Sequence, residues 1–346
     1  MEAIHDISTK PLVSVIMPVR NEARFIGRAL MAIFNQSYPS ERMEVVVADG
    51  MSTDGTRKVI EQMAAGSAMP VHIVDNPKQI APSGLNRAIE KAAGEIIIRV
   101  DGHCEIDVDY VENCVALLRE GRAEGVGGPI ETIGDGPHAS AIALAMSSPF
   151  GVGGSAFRTI NDREMYTDTV AFPGYTREIL LRAGPFDEEL VRNQDDEYNY
   201  RIREMGGRIL LSPTIRSRYF SRSTLRSLWR QYYQYGYWKV RVLQLHPRQM
   251  RARQFVPFLF VFGLILLASL SVFSTIGRYT LAAYAAVYLI ANIGAAIHAG
   301  RRRLSSIPVL CLSFLILHLS YGFGSLAGLI TFRKQWSGLR TADSAA

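Results

Sequence analysis

Residues 45–56, VVVADGMSTDGT, join an apolar run to a polar turn and indicate the fold of the first half of the chain. The valines predict a buried strand, because a continuous β-branched run suits a sheet that is covered on both faces. Asp49 ends this strand, and Asp54-Gly55-Thr56 opens a helical pattern. Asp54 either caps that helix, since a short oxygen side chain accepts from free N–H groups, or binds a ligand. The stretch predicts a strand, an acidic turn and a helix in succession.

The same alternation continues along the first half of the chain. The predicted strands are Leu12–Met17, Glu44–Ala48, Val71–Val74 and Ile96–Val100, and the predicted helices are Glu22–Phe34, Thr56–Met63, Gly84–Ala93 and Val108–Leu118. This order predicts an α/β fold with a mostly parallel sheet flanked by helices. Ligands of such sheets bind beyond the carboxyl ends of the strands, so the residues after each strand form the candidate site.

Polar residues collect at three of these strand ends. The motif Pro18-Val19-Arg20-Asn21-Glu22 follows the first strand, Asp49 ends the second, and Asp101-Gly102-His103 follows the fourth. The carboxyl ends of parallel strands meet at one edge of a sheet, so these motifs are expected to lie together. We interpret Asp49 and Asp101 as ligand-binding carboxylates.

The C-terminal part of the chain differs in charge and in hydropathy. Asp343 is the one acidic residue after Glu204, whereas 18 of the 38 Lys and Arg residues lie in this part. Three segments there contain no Asp, Glu, Lys or Arg: Phe255–Gly277, Tyr279–Ala299 and Leu304–Phe332. Each has the length of about 20 residues that a helix needs to cross a bilayer. They predict a transmembrane region of about three hydrophobic helices in residues 254–346.

The flanks of these segments predict their orientation. Arg251 and Arg253 precede the first segment and arginines 301–303 follow the second, so the positive-inside rule places the N-terminal half in the cytoplasm. We expect a multi-pass protein of the cell inner (plasma) membrane with a cytoplasmic catalytic domain. The third segment either spans the membrane or is a re-entrant or interfacial segment, because three glycines cluster in its second half. Three cysteines in such a chain are expected as free thiols.

The ordered motifs resemble those of glycosyltransferase family 2, a family of inverting enzymes with the GT-A fold. Residues 12–18 with Asn21-Glu22 resemble its first motif, and residues 45–49 with 52–56 its second. Residues 126–130, 148–154 and 192–197 resemble more narrowly the succinoglycan and exopolysaccharide β-1,3-glucosyltransferases. The resemblance runs from residue 12 to about residue 215 and implies a GT-A nucleotide-sugar-binding domain at residues 1–220.

The resemblance implies a nucleotide-sugar site. Its implied residues are Pro18, Arg20, Glu22, Asp49, Asp54, Asn86, Arg99 and Asp101. Glu22 is implied to accept hydrogen bonds from the ribose hydroxyls. Asp49 is implied to pair with a uracil N–H, a charge-assisted bond that favours a UDP-sugar donor.

The same resemblance implies a divalent cation. Asp101 and His103 stand where the family has its Asp-x-Asp metal motif, and carboxylates with retained waters suit Mg²⁺ or Mn²⁺. The imidazole of His103 departs from the motif and favours Mn²⁺. Cys104 is expected to face the opposite side of its strand and to pack in the core.

One position lacks a cation that the family has. Leu85 occupies the place of an arginine near the diphosphate, while the neighbouring Asn86 keeps the motif. Lys78, Arg87 and Arg99 are three alternatives for the missing positive charge, and the sequence does not choose among them.

The resemblance also implies a catalytic base. An inverting transfer needs a group that takes the proton of the acceptor hydroxyl. Asp195 aligns with the family's Glu-Asp motif, six residues before Arg201, and Asp196 is the alternative. The alternative explanation for these adjacent acidic residues is structural: they begin a helix, where negative charge is favoured by the helix dipole.

Residues 221–253 are basic and aromatic and are predicted to form an interfacial helix. Arg222, Arg226 and Arg230 recur every fourth residue, with Trp229 and Tyr232 nearby. Such a helix lies at a membrane surface and binds anionic lipids or the pyrophosphate of a polyprenyl-linked sugar. Trp229, Arg230 and Tyr232 are therefore the candidate acceptor and membrane-interface residues, and nucleic acid is not an expected partner.

These observations favour a membrane-anchored, metal-dependent inverting glycosyltransferase. We expect it to move a hexose, glucose being favoured, from a UDP-sugar to a polyprenyl-diphosphate-linked oligosaccharide in exopolysaccharide assembly. One alternative is a polyprenyl-phosphate glycosyl synthase that acts on a bare lipid phosphate. The other is a non-catalytic, nucleotide-sensing membrane protein.

Overall fold

A computed structural model describes residues 10–221, 224–301 and 303–336. The chain divides into two compact units. The first unit comprises Met1–Glu131 and Ile160–Tyr219, and the second comprises Thr132–Thr159 and Phe220–Ala346. Residues 132–159, which the sequence analysis placed in the N-terminal domain, thus group with the C-terminal helices. Arg222, Arg302, Arg340 and Asp343 lie outside the described residues.

The described residues form eleven strands and thirteen α-helices. The strands are β1 Val13–Val19, β2 Met43–Asp49, β3 Val71–Asp75, β4 Ile96–Arg99, β5 Cys104–Ile106, β6 Gly125–Gly128, β7 Ile130–Ile133, β8 Met165–Tyr166, β9 Ala171–Thr176, β10 Ile209–Leu211 and β11 Ser217–Phe220. The helices are α1 Ile26–Phe34, α2 Thr56–Ala65, α3 Ala81–Lys91, α4 Tyr110–Arg119, α5 Pro137–Met146, α6 Pro149–Val152, α7 Ala156–Thr159, α8 Arg177–Ala183, α9 Gln194–Glu204, α10 Leu225–Leu245, α11 Val256–Phe273, α12 Thr275–Gly300 and α13 Ile307–Thr331.

The first unit is built on an eight-stranded sheet in the order β3-β2-β1-β4-β9-β6-β10-β8. β1, β2, β3 and β4 pair in parallel, as does β6 with β10. β9 runs antiparallel between β4 and β6, and β8 runs antiparallel to β10. The expected α/β fold with a mostly parallel sheet is confirmed: six of the eight strands run in one direction, and β8 and β9 run against them. The sequence analysis did not predict β6, β8 and β10, because β8 and β10 are short and β6 is mostly glycine, which leaves little hydrophobic periodicity.

The core of the first unit lies on both faces of this sheet. Every residue of β2 is buried, in agreement with its continuous apolar sequence. Helix α1 buries Ile26, Ala29, Leu30 and Ile33, which share one helical face. Cys104 is buried, as expected, and the three cysteines are free.

In the second unit, α11, α12 and α13 are each long and apolar enough to cross a membrane. α13 is one continuous helix of 25 residues, which argues against a third segment that turns back on itself. Two of its glycines lie where the backbones of other helices approach closely. A Cβ on Gly324 would overlap the carbonyl oxygen of Tyr233 on α10, and a Cβ on Gly322 would overlap the carbonyl oxygen of Pro257 on α11. Small residues of this kind allow helix backbones to approach closely. Glycines that look like helix breakers along the chain are therefore contact points in the folded unit.

The segment of residues 147–154 is anchored in this second unit by Phe150. Its ring contacts those of Tyr288, Phe314 and His318, with centroids 5.0–6.3 Å apart. His318 donates from Nε2 to the carbonyl oxygen of Phe150 at 2.8 Å, which leaves Nδ1 to accept from the Tyr288 hydroxyl at 3.0 Å. Both ring nitrogens of His318, a polar residue within an apolar helix, are therefore hydrogen-bonded, and one of these bonds holds residues 147–154.

Candidate active site

Three strand ends of the first unit form the candidate site. Val19 at the end of β1 lies opposite Asp49 at the end of β2, and Ile16 of β1 lies opposite Arg99 at the end of β4. Because β1 lies between β2 and β4, the segments that follow these strands converge at one sheet edge. This geometry brings together the strand-end motifs identified from the sequence.

The first two of these segments are joined by their own polar groups. The Asn21 N–H donates to Ser52 Oγ at 3.0 Å, and the Thr53 N–H donates to Asn21 Oδ1 at 2.9 Å. The Glu22 N–H donates to Thr56 Oγ1 at 2.7 Å. Asn21 adopts a left-handed conformation, with φ of 55°, a region where asparagine is among the favoured residues. The two loops are therefore joined by hydrogen bonds between their backbones and side chains.

Asp54 is exposed and takes part in the hydrogen bonds that join these two loops. Its Oδ1 accepts from the backbone N–H and the hydroxyl of Thr56, and its Oδ2 accepts from the Ala23 N–H. Burial tends to raise the pKa of the Asp54 carboxyl, but these hydrogen bonds outweigh it and lower the pKa below its ordinary value. Both carboxylate oxygens accept hydrogen bonds from the protein, although the residue at the N-cap of α2 is Gly55, one position further on.

Asp49 lies at the bottom of the site and is 1% exposed. Its Oδ1 accepts from the Ser52 N–H at 3.2 Å, and Arg57 lies 3.6 Å from Oδ2. Pro18 is half-buried and Arg20 is exposed beside it. Gly50 is closely packed against the aliphatic part of Arg20, because a Cβ there would lie 3.1 Å from the Arg20 Cβ.

Asp101 and His103 lie beyond the end of β4 with side chains that are 20% and 16% exposed. The ring of His103 is held edge-on against Tyr219, with centroids 5.0 Å apart. Its buried Nδ1 lies 3.0 Å from Glu22 Oε1, the distance of an ion pair, although the two groups lack hydrogen-bond alignment. Glu22, implied in ribose binding by the resemblance, therefore lies beside the histidine of the metal motif.

Asp101 and His103 together suit a divalent cation whose remaining ligands come from a bound diphosphate and from water. A carboxylate oxygen and an imidazole nitrogen are both donors that Mn²⁺ accepts. The described residues contain no group of three or more His, Cys, Asp or Glu that could hold a metal ion, so a diphosphate and water would have to complete the coordination.

Arg99 connects this motif to the candidate base. Its side chain is 8% exposed, and its Nε and Nη2 contact Asp101 Oδ1 at 3.0 and 2.9 Å. Its Nη1 donates to Asp195 Oδ1. Of the three alternatives for the missing cation, Arg99 lies at the metal motif, Lys78 pairs with Glu188, and Arg87 is exposed on α3.

Asp195 lies on the first turn of α9, and the helix is anchored by residues that the sequence analysis missed. Asn193 before it is left-handed, with φ of 61°. On the next turn, Asn199 donates to Thr169 Oγ1 at 2.9 Å and accepts from the Tyr175 hydroxyl at 2.7 Å, all within the core. Burial raises the pKa of Tyr175. In the sequence, the only sign of this anchor was the position of Asn199, a polar residue four positions after Asp195 and between two tyrosines.

The side chain of Asn86 supports a loop. Its Nδ2 donates to the Phe186 carbonyl oxygen at 3.0 Å, and its Oδ1 accepts from the Phe186 N–H at 2.8 Å. The same Nδ2 lies 3.2 Å from Glu188, whose carboxylate also accepts from Lys78. The Lys78 and Asn86 hydrogen bonds lower the pKa of Glu188. These contacts occupy the Asn86 amide with residues 186–188.

The candidate interface residues of the second unit lie on α10. Trp229 and Arg230 are exposed, but Tyr232 is buried, with 7% exposure. Tyr232 therefore belongs to the packing of the helix, while Trp229 and Arg230 remain the surface residues of this group.

Comparisons with known proteins agree with this architecture. The family described as Glycosyl transferase family 2 matches residues 14–180. The succinoglycan biosynthesis protein ExoA of Rhizobium meliloti is 29% identical over 93% of this chain and 96% of its own length. A dolichyl N-acetyl-α-D-glucosaminyl phosphate 3-β-D-2,3-diacetamido-2,3-dideoxy-β-D-glucuronosyltransferase of Methanococcus voltae is 28% identical over 93% of this chain and 99% of its own length.

A solved structure shares the fold over most of the chain. The mannosyltransferase PcManGT from Pyrobaculum calidifontis, in complex with GDP-Man and Mn²⁺, is similar with a TM-score of 0.63 and 20% identity. The likeness covers 93% of this chain and 88% of that chain. The expected GT-A fold is thereby confirmed. With the ordered motifs at its strand ends and the two relatives that match nearly its full length, the chain belongs to glycosyl transferase family 2 and is a glycosyltransferase.

Proposed function

We propose that this protein is a membrane-anchored inverting glycosyltransferase that moves a hexose from a UDP-sugar to a lipid-linked oligosaccharide in exopolysaccharide assembly. The observation that carries the proposal is the contact of Arg99 with Asp101 and Asp195 at the strand ends. The Arg99 guanidinium contacts both the carboxylate of Asp101, from the metal motif, and the carboxylate of Asp195, from α9. A single displacement needs both groups close to the anomeric carbon.

Asp195 acts as the general base in this proposal. Its side chain is 37% exposed, so an acceptor hydroxyl can reach it. The acceptor oxygen forms a bond to the anomeric carbon while the bond to the diphosphate breaks, and the hydroxyl proton moves to the Asp195 carboxylate. Asp101 and His103 would hold a divalent cation, Mn²⁺ being favoured, that neutralises charge on the departing diphosphate. Asp49 binds the uracil N–H, and Pro18, Arg20 and the loops around them contact the nucleotide.

The acceptor is proposed from the second unit and from the relatives. Three apolar helices suit a multi-pass anchor in the inner membrane, with the first unit on the cytoplasmic side. Exposed Trp229 and Arg230 on α10 suit an anionic lipid headgroup or a polyprenyl diphosphate. The relative from Methanococcus voltae is named for a dolichyl-phosphate-linked sugar acceptor, and the one from Rhizobium meliloti for succinoglycan biosynthesis.

A donor screen on membranes that carry the native lipid-linked acceptor tests this proposal. We expect UDP release from UDP-glucose with Mn²⁺, and a lipid-extractable product longer than its acceptor by one sugar. Release of GDP from GDP-mannose instead would contradict the role of Asp49. A product with one sugar on a bare lipid phosphate would replace the proposal by a polyprenyl-phosphate synthase. No nucleotide release, with equal nucleotide binding by the wild type and by Asp195→Asn, would favour a sensor.

A further inference from the structure

Glu22 has a position that nucleotide contact does not explain. Its Oε1 lies 3.0 Å from Nδ1 of His103, and its side chain is 19% exposed. Nδ1 is buried and, among the described residues, has no aligned hydrogen-bond partner. A buried ring nitrogen without a partner is unfavourable, so a carboxylate at this distance is the natural acceptor for an N–H there.

The backbone around Glu22 keeps its carboxylate at this place. Its N–H is bound to Thr56 Oγ1 at 2.7 Å, within the joint between the two strand-end loops. Its Cβ and Cγ lie against Gly102, where an added Cβ would come within 3.3 and 3.2 Å of them. The Glu22 side chain thus lies against Gly102, the residue between Asp101 and His103. Its carboxylate is thereby directed to the metal motif.

The ring of His103 is constrained from the other side as well. Tyr219, at the end of β11, packs edge-on against it at a 64° interplanar angle. If Nδ1 carries the proton and faces Glu22, the ring nitrogen whose lone pair is free to bind a metal is Nε2. Metal-bound histidines almost always give their second N–H to a carboxylate, a carbonyl or water, which sets the tautomer and orients the ring.

We propose that Glu22 is a positioning residue for the metal site: it accepts the Nδ1–H of His103 and thereby presents Nε2 to the divalent cation that Asp101 also binds. The inference rests on the proposed function, because it assigns a role within the same nucleotide-sugar site. It takes Glu22 out of the set of ribose-binding residues. It also explains how histidine serves in place of a second aspartate, since histidine needs a fixed tautomer and an aspartate does not.

Titration of Mn²⁺ by electron paramagnetic resonance tests the inference on the full-length protein with UDP present. Glu22→Ala is expected to weaken Mn²⁺ binding about 10- to 100-fold, the usual loss when such a partner is removed, and Glu22→Gln to weaken it less. Glu90→Ala, at an exposed position on α3, is the matched control and is expected to bind like the wild type. UDP binding in EDTA is expected to stay within about twofold of the wild type for both Glu22 variants, since no ribose contact is lost.

A second background separates a positioning role from a loss of local structure. In His103→Asp, which has no tautomer to set, adding Glu22→Ala is expected to leave Mn²⁺ affinity unchanged or to raise it, because a like charge is removed. Equal Mn²⁺ binding by Glu22→Ala and the wild type would overturn the inference alone. Weaker UDP binding by Glu22→Ala in EDTA would restore the ribose role and also overturn it. A wild type that binds no Mn²⁺ with UDP would overturn the metal dependence of the proposed function together with the inference.

Discussion

The guanidinium of Arg99, on the last residue of β4, donates to the carboxylate of Asp195, on the first turn of α9, across 96 positions of the chain. The same guanidinium contacts Asp101. A buried cation between two carboxylates offsets their mutual repulsion and fixes the distance between them. Of the three candidates for the cation that Leu85 does not supply, Arg99 is the one that contacts the metal-motif carboxylate.

Arg99→Met is expected to lower kcat/KM for sugar transfer about 100-fold, since misplacement of a reacting group by an ångström has effects of this order. Arg99→Lys keeps the charge but not the fork of donors, and it is expected to lose less. Steady-state UDP release measures both variants, with Arg87→Met at an exposed position as the control. Wild-type kinetics for Arg99→Met would show that the two carboxylates hold their positions without it.

Asp195→Asn is expected to lower kcat by about 10²- to 10⁴-fold, the usual contribution of a general base, while the affinity for the UDP-sugar stays near that of the wild type. The neighbouring Asp196→Asn serves as the comparison, because it removes the same charge from the same helix end. Single-turnover transfer and donor binding are measured for both. A larger loss in Asp196→Asn would move the base to Asp196.

The link between Asn86, Lys78 and Glu188 predicts a pH-dependent stability. The pKa of Glu188 is lowered by its hydrogen bond from Lys78, with Asn86 and nearby Arg87 adding to it. A carboxyl group with a lowered pKa in the folded state contributes stability above its unfolded pKa, and this contribution is lost as the pH falls through the lower folded value.

Glu188→Gln is therefore expected to melt below the wild type at pH 7. The difference is expected to shrink as the pH falls below about 4, the ordinary value for glutamate, and to disappear below the lower pKa of Glu188 in the folded state. Thermal unfolding followed over this pH range is the measurement. Glu90→Gln, on the exposed side of α3, is expected to show no such convergence. A difference that is constant with pH would mean that packing, rather than charge, links residues 186–188 to α3.

The close contact of α10 with α13 predicts a sharp difference between two glycines in apolar helices. Gly324→Leu places a side chain into the Tyr233 carbonyl, whereas a Cβ at Gly294 on α12 meets nothing within 4 Å. Overpacking costs about 1–3 kcal/mol in well-packed cores, and a clash with backbone belongs at the upper end. Gly324→Leu is expected to lower the melting temperature in detergent, and Gly294→Leu to match the wild type. Equal melting of both variants would argue against this helix contact.

Much of the first unit followed from local patterns. The runs Glu44–Ala48 and Ile96–Val100 predicted buried strands, and β2 and β4 are buried throughout. Their order along the chain predicted the sheet edge on which Asp49, Asp101 and Glu22 meet. The strands after residue 120 were harder to predict, because β6 reads Gly-Val-Gly-Gly and β8 has two residues. Their place in the sheet depends on pairing with distant strands rather than on their own composition.

The sequence by itself determined the elements: the parallel strands with acidic ends, the apolar helices, and the family motifs, all of which depend on residues near one another in the chain. Only the tertiary structure decided which side chains meet. Arg99 could serve the diphosphate or the base, and Glu22 the ribose or His103, because charge and length suit both partners of each. The three clustered glycines of α13 resemble a helix break in the sequence, but in the structure α10 and α11 pack closely against them. Contacts between residues far apart depend on how the elements assemble, and no local pattern carries that information.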